Sequence, residues 1–213
     1  MNFQLRLLQS VSEIRQLILE QIRDFLQPRL SRASSNITQE IQVLVAEALR
    51  QEPEYQSLAS GQLKAEFGLP DTTIVDAIVL ALSQSIEVTN NPIVIKQSGL
   101  GGGFTLRMIK SDDLGGVISN ANAIIDSAGG SVQWLEWLTL RGNEILVRDY
   151  KVQFGPNRNS RSGMAIMRPS LNSNWRVPPQ FSGTEKNNWI TRAIERIENN
   201  VYDLIIKSVE AEI

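Results

Sequence analysis

Apolar residues at the start of the chain recur every three or four positions, which is the spacing of one helical face. Charged residues such as Arg15 lie outside this stripe, and Pro28 predicts that the helix ends or kinks there. A second helix, capped by Ser34 or Ser35, is predicted to follow and to close at Pro53. The first stripe consists of Leu7, Val11, Ile14, Ile18, Ile22 and Phe25, and the second of Ile37, Ile41, Leu44, Val45 and Leu49.

Two shorter helices are predicted between Pro53 and residue 85. Ser60 is a candidate N-cap for a helix over Gly61–Phe67, and Gly68 is placed to stop it. Asp71 or Thr72 then opens a helix whose apolar positions are Ile74, Ile78 and Leu82. These patterns together predict a helical part over residues 1–85.

The pattern changes to short alternating runs after residue 85. β-branched and alternating residues predict strands over Ile86–Gln97 and Phe104–Lys110, joined by the glycine-rich stretch Gly99–Gly103. That stretch lacks the GK[ST] ending of a phosphate-binding loop, so we interpret it as a mobile hairpin tip. Residues 112–130 fit either a helix bounded by glycine pairs or an extended arm.

Later segments alternate between short helix, strand and turn. A short amphipathic helix is predicted over Ser131–Leu140, a strand over Ile145–Phe154, a turn over residues 155–163 and a short strand over Met164–Met167. A last helix carries the apolar stripe Ile190, Ile194, Ile197, Val201, Leu204 and Val209.

A rigid, polar elbow precedes that last helix, between Trp175 and Trp189. The run Val177-Pro178-Pro179 favours an extended backbone. Ser182 and Glu185 have the spacing of a capping box, and Thr184 is a rival cap.

The order of helices, strands and a closing helix indicates an α+β fold. We expect a helical N-terminal part, a central antiparallel β-sheet with a long hairpin loop or arm, and a long C-terminal helix that packs with the N-terminal helix. The chain is predicted to form a single domain, 1–213, with a helical part (1–85), a β-rich part (86–170) and an elbow with the C-terminal helix (171–213). The spacing of the terminal helices favours helix–helix packing, either within one chain or between subunits.

Composition lowers the expectation of catalysis. The chain has no cysteine and no histidine, which removes disulfides, thiolate metal sites, the commonest general base and the best zinc ligand. An enzyme could still use carboxylates, lysine or tyrosine, but we expect no catalytic residue, no metal and no cofactor. Charges interrupt the N-terminal apolar run, and no stretch approaches the length of a membrane span, so a soluble protein made in a cytoplasm is expected.

Charge is unevenly distributed along the chain. Between Arg148 and Arg176 the local net charge is +5, whereas the rest of the chain carries −7. Such a basic segment can face nucleic acid or an acidic neighbour, and it can equally be a solvated loop.

Several polar residues are candidates for catalysis. The Asp112–Asp113 pair lacks the spacing of a calcium loop. Glu136 lies between Trp134 and Trp137 but is expected to point to solvent, and Asp149 is expected to form an ion pair. Ser160 and Ser162 lack both a GxSxG context and a histidine to activate them.

The four tryptophans, Trp134, Trp137, Trp175 and Trp189, could stack single-stranded nucleic acid. The sequence lacks the alternating aromatic and basic strand pattern of such surfaces. We therefore favour roles for these tryptophans in a core or in a protein contact.

Three stretches resemble a known family: SLASGQLKAEFGLPD, WLEWLTLRGNEILVRDYKVQFGPNRNSRSGMAIM and WRVPPQFSGTEKNNWITRAI. They are similar to neck or tail-completion proteins of tailed bacteriophages, with the greatest similarity to virion proteins of myophages that infect cyanobacteria. The resemblance covers residues 55–70 and 134–195. The chain departs from the smaller tail-completion proteins of siphophages by its extra length over about residues 86–130.

The resemblance implies a non-enzymatic virion protein, assembled in the host cytoplasm, that forms a hexameric or dodecameric ring at the head–tail neck. Its implied partners are copies of itself, the portal or connector, the tail terminator, tube or sheath proteins, and DNA that passes non-specifically through the lumen, with no membrane. A tail terminator and a non-specific nucleic-acid-binding module are the alternatives. The expected subunit or partner contacts are Met164, Met167, Trp175, Arg176, Phe181 and Trp189. The expected contacts with luminal DNA or an acidic partner are Arg158, Arg161 and Arg168.

Overall fold

A computed structural model describes residues 9–108, 111–127 and 130–213, and it shows the predicted α+β architecture. A long N-terminal helix comes first, antiparallel hairpins follow, and a long C-terminal helix packs against the N-terminal helix. The helices are α1 (Val11–Gln51), α2 (Pro53–Ser60), α3 (Gln62–Phe67), α4 (Thr73–Gln84), α5 (Ser111–Ile118), α6 (Trp134–Thr139) and α7 (Trp189–Glu210). The strands are β1 (Glu87–Lys96), β2 (Gly99–Arg107), β3 (Ile125–Ser127), β4 (Gly130–Val132), β5 (Val147–Phe154) and β6 (Ala165–Trp175).

The described strands form separate two-stranded sheets instead of one central sheet. β1 pairs with β2, β3 with β4, and β5 with β6, each pair antiparallel. The chain divides into two compact units. Unit 1 contains residues 9–40, Glu87–Arg107 and Tyr202–Ile213, and unit 2 contains Ile41–Ile86 and the described residues of Met108–Val201. The expectation of a single domain stays a prediction.

Helix α1 runs without interruption through Pro28, so of the two predicted outcomes at this proline, an end or a kink, the end is wrong. A proline inside a helix removes one backbone hydrogen bond and costs about 3 kcal/mol. Contacts on both sides of Pro28 offset this cost, because Gln27 Oε1 accepts a hydrogen bond from Ile93 N at 2.6 Å. Asn90 Nδ2 donates to Ser31 Oγ at 2.8 Å. Ser34 and Ser35, the predicted caps, therefore lie inside α1.

Unit 1 consists of the first part of α1, the β1–β2 hairpin and the end of α7. The turn of this hairpin is at Gln97 and Ser98, and the predicted glycine-rich tip is instead part of β2. Gly102 lies against the bulge in β1, where an added Cβ would lie 2.8 Å from the Cα of Ile93. A side chain at position 102 would therefore displace the backbone of the neighbouring strand.

The end of α7 contacts α1 within unit 1. Arg32 Nε donates to Glu212 Oε2 at 3.0 Å, and Ser208 Oγ donates to Glu40 Oε2 at 3.3 Å. The seam between the terminal helices therefore forms within one chain, which is one of the two alternatives that the sequence left open.

Unit 2 holds the larger core, built from the end of α1, helices α2 to α4, α6 and the start of α7. Trp134, Trp189 and Phe67 are the largest fully buried side chains there. Trp189 Nε1 donates to the backbone carbonyl of Leu49 at 2.9 Å, and Arg196 Nη2 donates to that of Ala48 at 2.8 Å. These bonds satisfy carbonyl groups near the C-terminal end of α1, where no further helical turn can do so.

Short elements replace the two alternatives for residues 112–130. Helix α5 is followed by a 3-10 turn over Ala121–Ala123 and by the β3–β4 hairpin. Strand β4 includes Ser131 and Val132, so helix α6 begins three residues later than predicted.

Strand β6 is much longer than the predicted Met164–Met167 strand and reaches Trp175. Its pairing with β5 is interrupted by a bulge, where Asp149 and Asn172 have positive φ angles of 58° and 62°. Asp149 Oδ1 accepts a hydrogen bond from Asn172 N at 3.1 Å. Among the ion pairs of the described residues, Asp149 takes part in none, and its carboxylate instead bonds across the bulge.

Candidate functional site

A cleft of about 740 Å³ lies in unit 2, between the end of α3 and strands β4, β5 and β6. Its aromatic lining consists of Phe67, Trp137, Tyr150 and Trp175. Met167, one of the predicted contact residues, also lines it. An aromatic cleft with few polar groups is typical of a binding site for a small molecule or an apolar segment.

Trp175 lies at the centre of the aromatic cluster. Its ring meets Phe67 edge-on at 5.8 Å between centroids and lies 6.1 Å from the ring of Trp137. Only 7% of Trp175 is exposed. The predicted contact residue Trp175 is therefore mainly a packing residue that forms one wall of the cleft.

Glu66 provides the carboxylate of the cleft. Trp175 Nε1 donates to Glu66 Oε2 at 3.0 Å, and Gln62 Nε2 donates to Glu66 Oε1 at 2.7 Å. Burial raises the pKa of Glu66 above its usual range, and the two hydrogen bonds only partly oppose this effect. Sequence patterns missed Glu66, since a glutamate on a short helix has no signal that reveals its tertiary partner.

Arg161 provides the cation of the cleft. Its guanidinium donates to the backbone carbonyl groups of Phe67 at 3.2 Å and Asp126 at 3.4 Å. It also lies beside Gly68, which ends α3 in the left-handed conformation, as predicted. Burial lowers the pKa of Arg161. The guanidinium of Arg161 thus stabilises the carbonyl end of α3, a structural role that differs from the expected contact with luminal DNA or an acidic partner.

The elbow packs onto the end of α6. Gly183 N donates to the Leu138 carbonyl at 2.9 Å, and a Cβ at position 183 would lie 2.6 Å from that oxygen. Phe181 is half-buried and Arg176 is exposed. Trp189, 1% exposed, is enclosed by its own chain, so the predicted contact of Trp189 with a neighbouring subunit is corrected to a core position.

Asn188 caps α7, in place of the predicted Ser182 or Thr184. Asn188 Oδ1 accepts from Ile190 N at 2.9 Å and from Thr191 N at 3.1 Å. Asn188 N in turn donates to Thr191 Oγ1 at 2.9 Å. This reciprocal pair has the geometry of a capping box with threonine in the glutamate position, a variant that the expected pattern does not include.

The remaining predicted basic contacts lie on or beside the β5–β6 hairpin. Arg158 and Arg168 are exposed, and Arg168 is directly opposite Lys151 in the pairing of β5 with β6. Met164 directly precedes β6 and is also exposed. The structure therefore brings Arg168 and Lys151 together but leaves Arg158 in the turn.

Two ion pairs join α7 to the start of α2. Arg192 pairs with Glu54, and Arg196 Nη2 lies 3.0 Å from Glu52 Oε1. Both carboxylates are buried, and burial raises the pKa of Glu54 despite the nearby Arg192. Among the described atoms, Glu54 Oε2 is buried without a hydrogen-bond partner. The spacing of Arg192 and Arg196 on one helical face was the only sequence signal for these pairs.

The candidate catalytic residues that the structure describes contact ordinary neighbouring side chains. Glu136 lies 3.9 Å from Arg141, and the hydroxyl groups of Ser160 and Ser162 are 3.2 Å apart within the turn. The side chains of Asp112 and Asp113 lie outside the described residues. In the part of the chain that the structure describes, no group of three or more acidic side chains is arranged to hold a metal ion.

Comparison with protein-family models, curated proteins and solved structures finds no match for this chain. Over the residues described, no helix combines the length and the apolar character that crossing a membrane requires.

Proposed function

We propose that the chain is a structural subunit that assembles with copies of itself into a ring at the head–tail junction of a tailed bacteriophage. In this role it joins the portal or connector to the tail and leaves a channel for DNA. The subunit has no catalytic task. Its expected location is the neck of the virion, with a tail terminator as the alternative position.

The exposed apolar side chains of α1 are the observation that carries the assembly role. In unit 1, Val11 is 85% exposed, and large apolar residues continue along the helix to Phe25. These residues are Val11, Leu17, Ile18, Ile22 and Phe25. Contiguous exposed apolar surface on a protein marks a site of contact with another protein.

The spacing of this stripe fits another helix as the partner. Val11, Ile18 and Phe25 follow one another at intervals of seven residues. A seven-residue repeat keeps one face of a helix directed at a neighbouring helix. A ring supplies such a neighbour from the next copy through a heterologous contact.

The assignment to a phage neck is supported by the three stretches that resemble neck and tail-completion proteins. In unit 2, these stretches include α3, the β5–β6 hairpin and the elbow. Their side chains form the cleft around Trp175 and the cap of α7. We propose that the cleft faces a neighbouring virion protein on the portal side or the tail side of the ring.

Mass and location test this proposal. The purified chain is expected to form a closed oligomer at high concentration in sedimentation experiments, alone or once its neck partner is added. Antibodies against the chain should label the neck of phage particles. A chain that stays monomeric with and without virion partners, and that is missing from particles, would overturn the proposal.

The β5–β6 hairpin supports a second candidate function, non-specific binding of nucleic acid. Lys151 and Arg168 are exposed and directly opposite each other, an arrangement of like charges that destabilises a hairpin on its own. An anionic partner removes this repulsion. Filter binding with single-stranded and double-stranded DNA should then show affinity that falls steeply with salt. An absence of binding at low salt would exclude this function.

A further inference from the structure

The two long edges of the β1–β2 hairpin in unit 1 have different surroundings. The edge of β1 is bonded to α1, where Gln27 accepts from Ile93 N and Ser34 Oγ donates to the Val88 carbonyl at 3.3 Å. Strand β1 also contains Pro92, which interrupts regular pairing at the bulge. Proline, bulges and a covering helix are the means by which proteins protect an edge strand from pairing.

In the described part of the chain, the edge of β2 has none of these protections. Over the described residues, the backbone of Gly99–Leu106 pairs only with β1. This stretch contains no proline and no charged residue. It therefore presents an open row of backbone donors and acceptors to another strand.

We propose that this edge pairs with β2 of a second copy of the chain. The two strands run antiparallel across a two-fold axis that passes through Gly103, so that Gly103 of one copy lies opposite Gly103 of the other. The two hairpins then form one four-stranded sheet. In this register all nine residues of β2 are paired, over a length of about 30 Å.

The sequence of β2 is complementary to itself in this register. Leu100 lies opposite Leu106 of the second copy, and Phe104 lies opposite Gly102, which leaves space for the aromatic ring. Cross-strand packing of an aromatic ring over glycine stabilises glycine-rich strands. Arg107, which ends the strand, lies opposite Gly99, so no like charges meet across the axis.

Burial in the single chain supports the same arrangement. Leu100, Phe104 and Leu106 alternate along β2, share one face and are only half-buried. A two-stranded hairpin is marginally stable by itself, and a sheet of more strands covers its apolar face better. Pairing across the axis brings six such side chains together on one face.

A second copy fits this edge better than the other described strands do. Strands β5 and β6 carry Arg148, Lys151 and Arg168 within their pairing regions. The apolar and glycine positions of β2 match those of β2 in a second copy. The contact is isologous and closes on two copies, so it is separate from the heterologous contacts of the proposed ring, and either can fail without the other.

Charge substitutions at the two leucines test the register directly. The double variant Leu100→Lys/Leu106→Lys puts like charges opposite each other at two places, and so does Leu100→Glu/Leu106→Glu. The variant Leu100→Lys/Leu106→Glu has the same loss of apolar area but places opposite charges across the axis. It is therefore the matched control.

In sedimentation equilibrium, the wild-type chain is expected to show the association of two copies. Each like-charge variant should associate at least tenfold more weakly, and an equimolar mixture of the two should recover the contact as a heterodimer. The control variant should associate more tightly than either like-charge variant. Circular dichroism of each variant checks that it is folded.

Three results would overturn the proposal. One is a wild-type chain that is monomeric at all accessible concentrations. Another is a pair of like-charge variants that keep the wild-type association. The third is a mixture of the two like-charge variants that gives no heterodimer, which excludes the register even if each variant alone is less stable.

Discussion

Trp175 Nε1 donates to Glu66 Oε2 at 3.0 Å and thereby joins the end of β6 to helix α3. Trp175→Phe keeps an aromatic ring beside Phe67 but leaves this carboxylate oxygen without its donor. We expect a loss of about 1–3 kcal/mol in the free energy of unfolding, measured by chemical denaturation. The double variant Trp175→Phe/Glu66→Leu removes both polar groups and should recover much of this loss. A double variant that is less stable than Trp175→Phe would contradict the assignment.

The buried carboxylate of Glu66 predicts a dependence of stability on pH. Burial raises its pKa in the folded chain above the ordinary value of 4.5. Below pH 4.5 the group is protonated in both states, and its stabilising contribution is present. That contribution is lost as the pH rises through the raised pKa, because the buried group must then ionise.

Glu66→Gln removes this titration and retains an oxygen that can accept from Trp175. Between about pH 4 and pH 7, the wild-type chain should therefore lose more stability than Glu66→Gln does. Other carboxylates, Glu54 among them, titrate in both proteins and cancel in the comparison. Denaturation midpoints of the two proteins across this range measure the effect, and parallel curves would refute it.

Asn188 rather than Ser182 caps the start of α7, and substitution can distinguish the two. Asn188→Ala removes an acceptor for the Ile190 and Thr191 amides and should cost about 1–2 kcal/mol. Ser182→Ala is the matched control, because the Ser182 hydroxyl bonds only to Asn143 Oδ1 among the described residues. Thermal unfolding followed by circular dichroism should show a larger shift for Asn188→Ala. Equal shifts would restore Ser182 as a cap.

The ion pair of Glu54 and Arg192 predicts a strong asymmetry between single and double variants. Arg192→Met leaves a buried carboxylate unpaired and should cost about 3 kcal/mol, near the lower end of the usual range because Arg192 is one-third exposed. Glu54→Gln/Arg192→Met removes both charges and should recover most of this loss. Urea denaturation of the two variants checks the difference, and a non-recovering double variant would argue that Arg192 acts through packing.

The exposed face of α1 predicts a loss of assembly without a loss of folding. Ile18→Glu and Ile22→Glu each place a charge within the apolar stripe, so self-association should weaken at least tenfold. Gln16→Glu adds the same charge at an exposed position on the opposite side of the helix and should have little effect. Sedimentation velocity measures association, and circular dichroism should stay unchanged. A Gln16→Glu variant that weakens assembly equally would point to a general charge effect.

Periodic patterns predicted the fold class and most elements, because a helix or strand that buries one face has apolar residues at regular intervals. Ile190, Ile197 and Val201 are buried on α7 as their spacing requires. Gly68 was identified as a helix stop because only glycine adopts its positive φ of 68° without strain.

The features that the sequence did not reveal depend on partners far along the chain. Pro28 continues a helix because Gln27 and Ser31 bond to a hairpin some 60 residues away. Burial in the folded chain raises the pKa of Glu66, and its bond to Trp175 joins residues 109 positions apart, which local spacing cannot reveal. Trp189 illustrates the same limit, since an aromatic residue at a helix start fits a subunit contact as well as a core.

All four tryptophans lie in unit 2, and unit 1 has none. The intrinsic tryptophan fluorescence of the native chain therefore reports on unit 2 only. Circular dichroism, by contrast, records the helices of both. Unfolding curves from the two signals will coincide if the units melt together, and a dichroism change that precedes the fluorescence change will show unit 1 opening first.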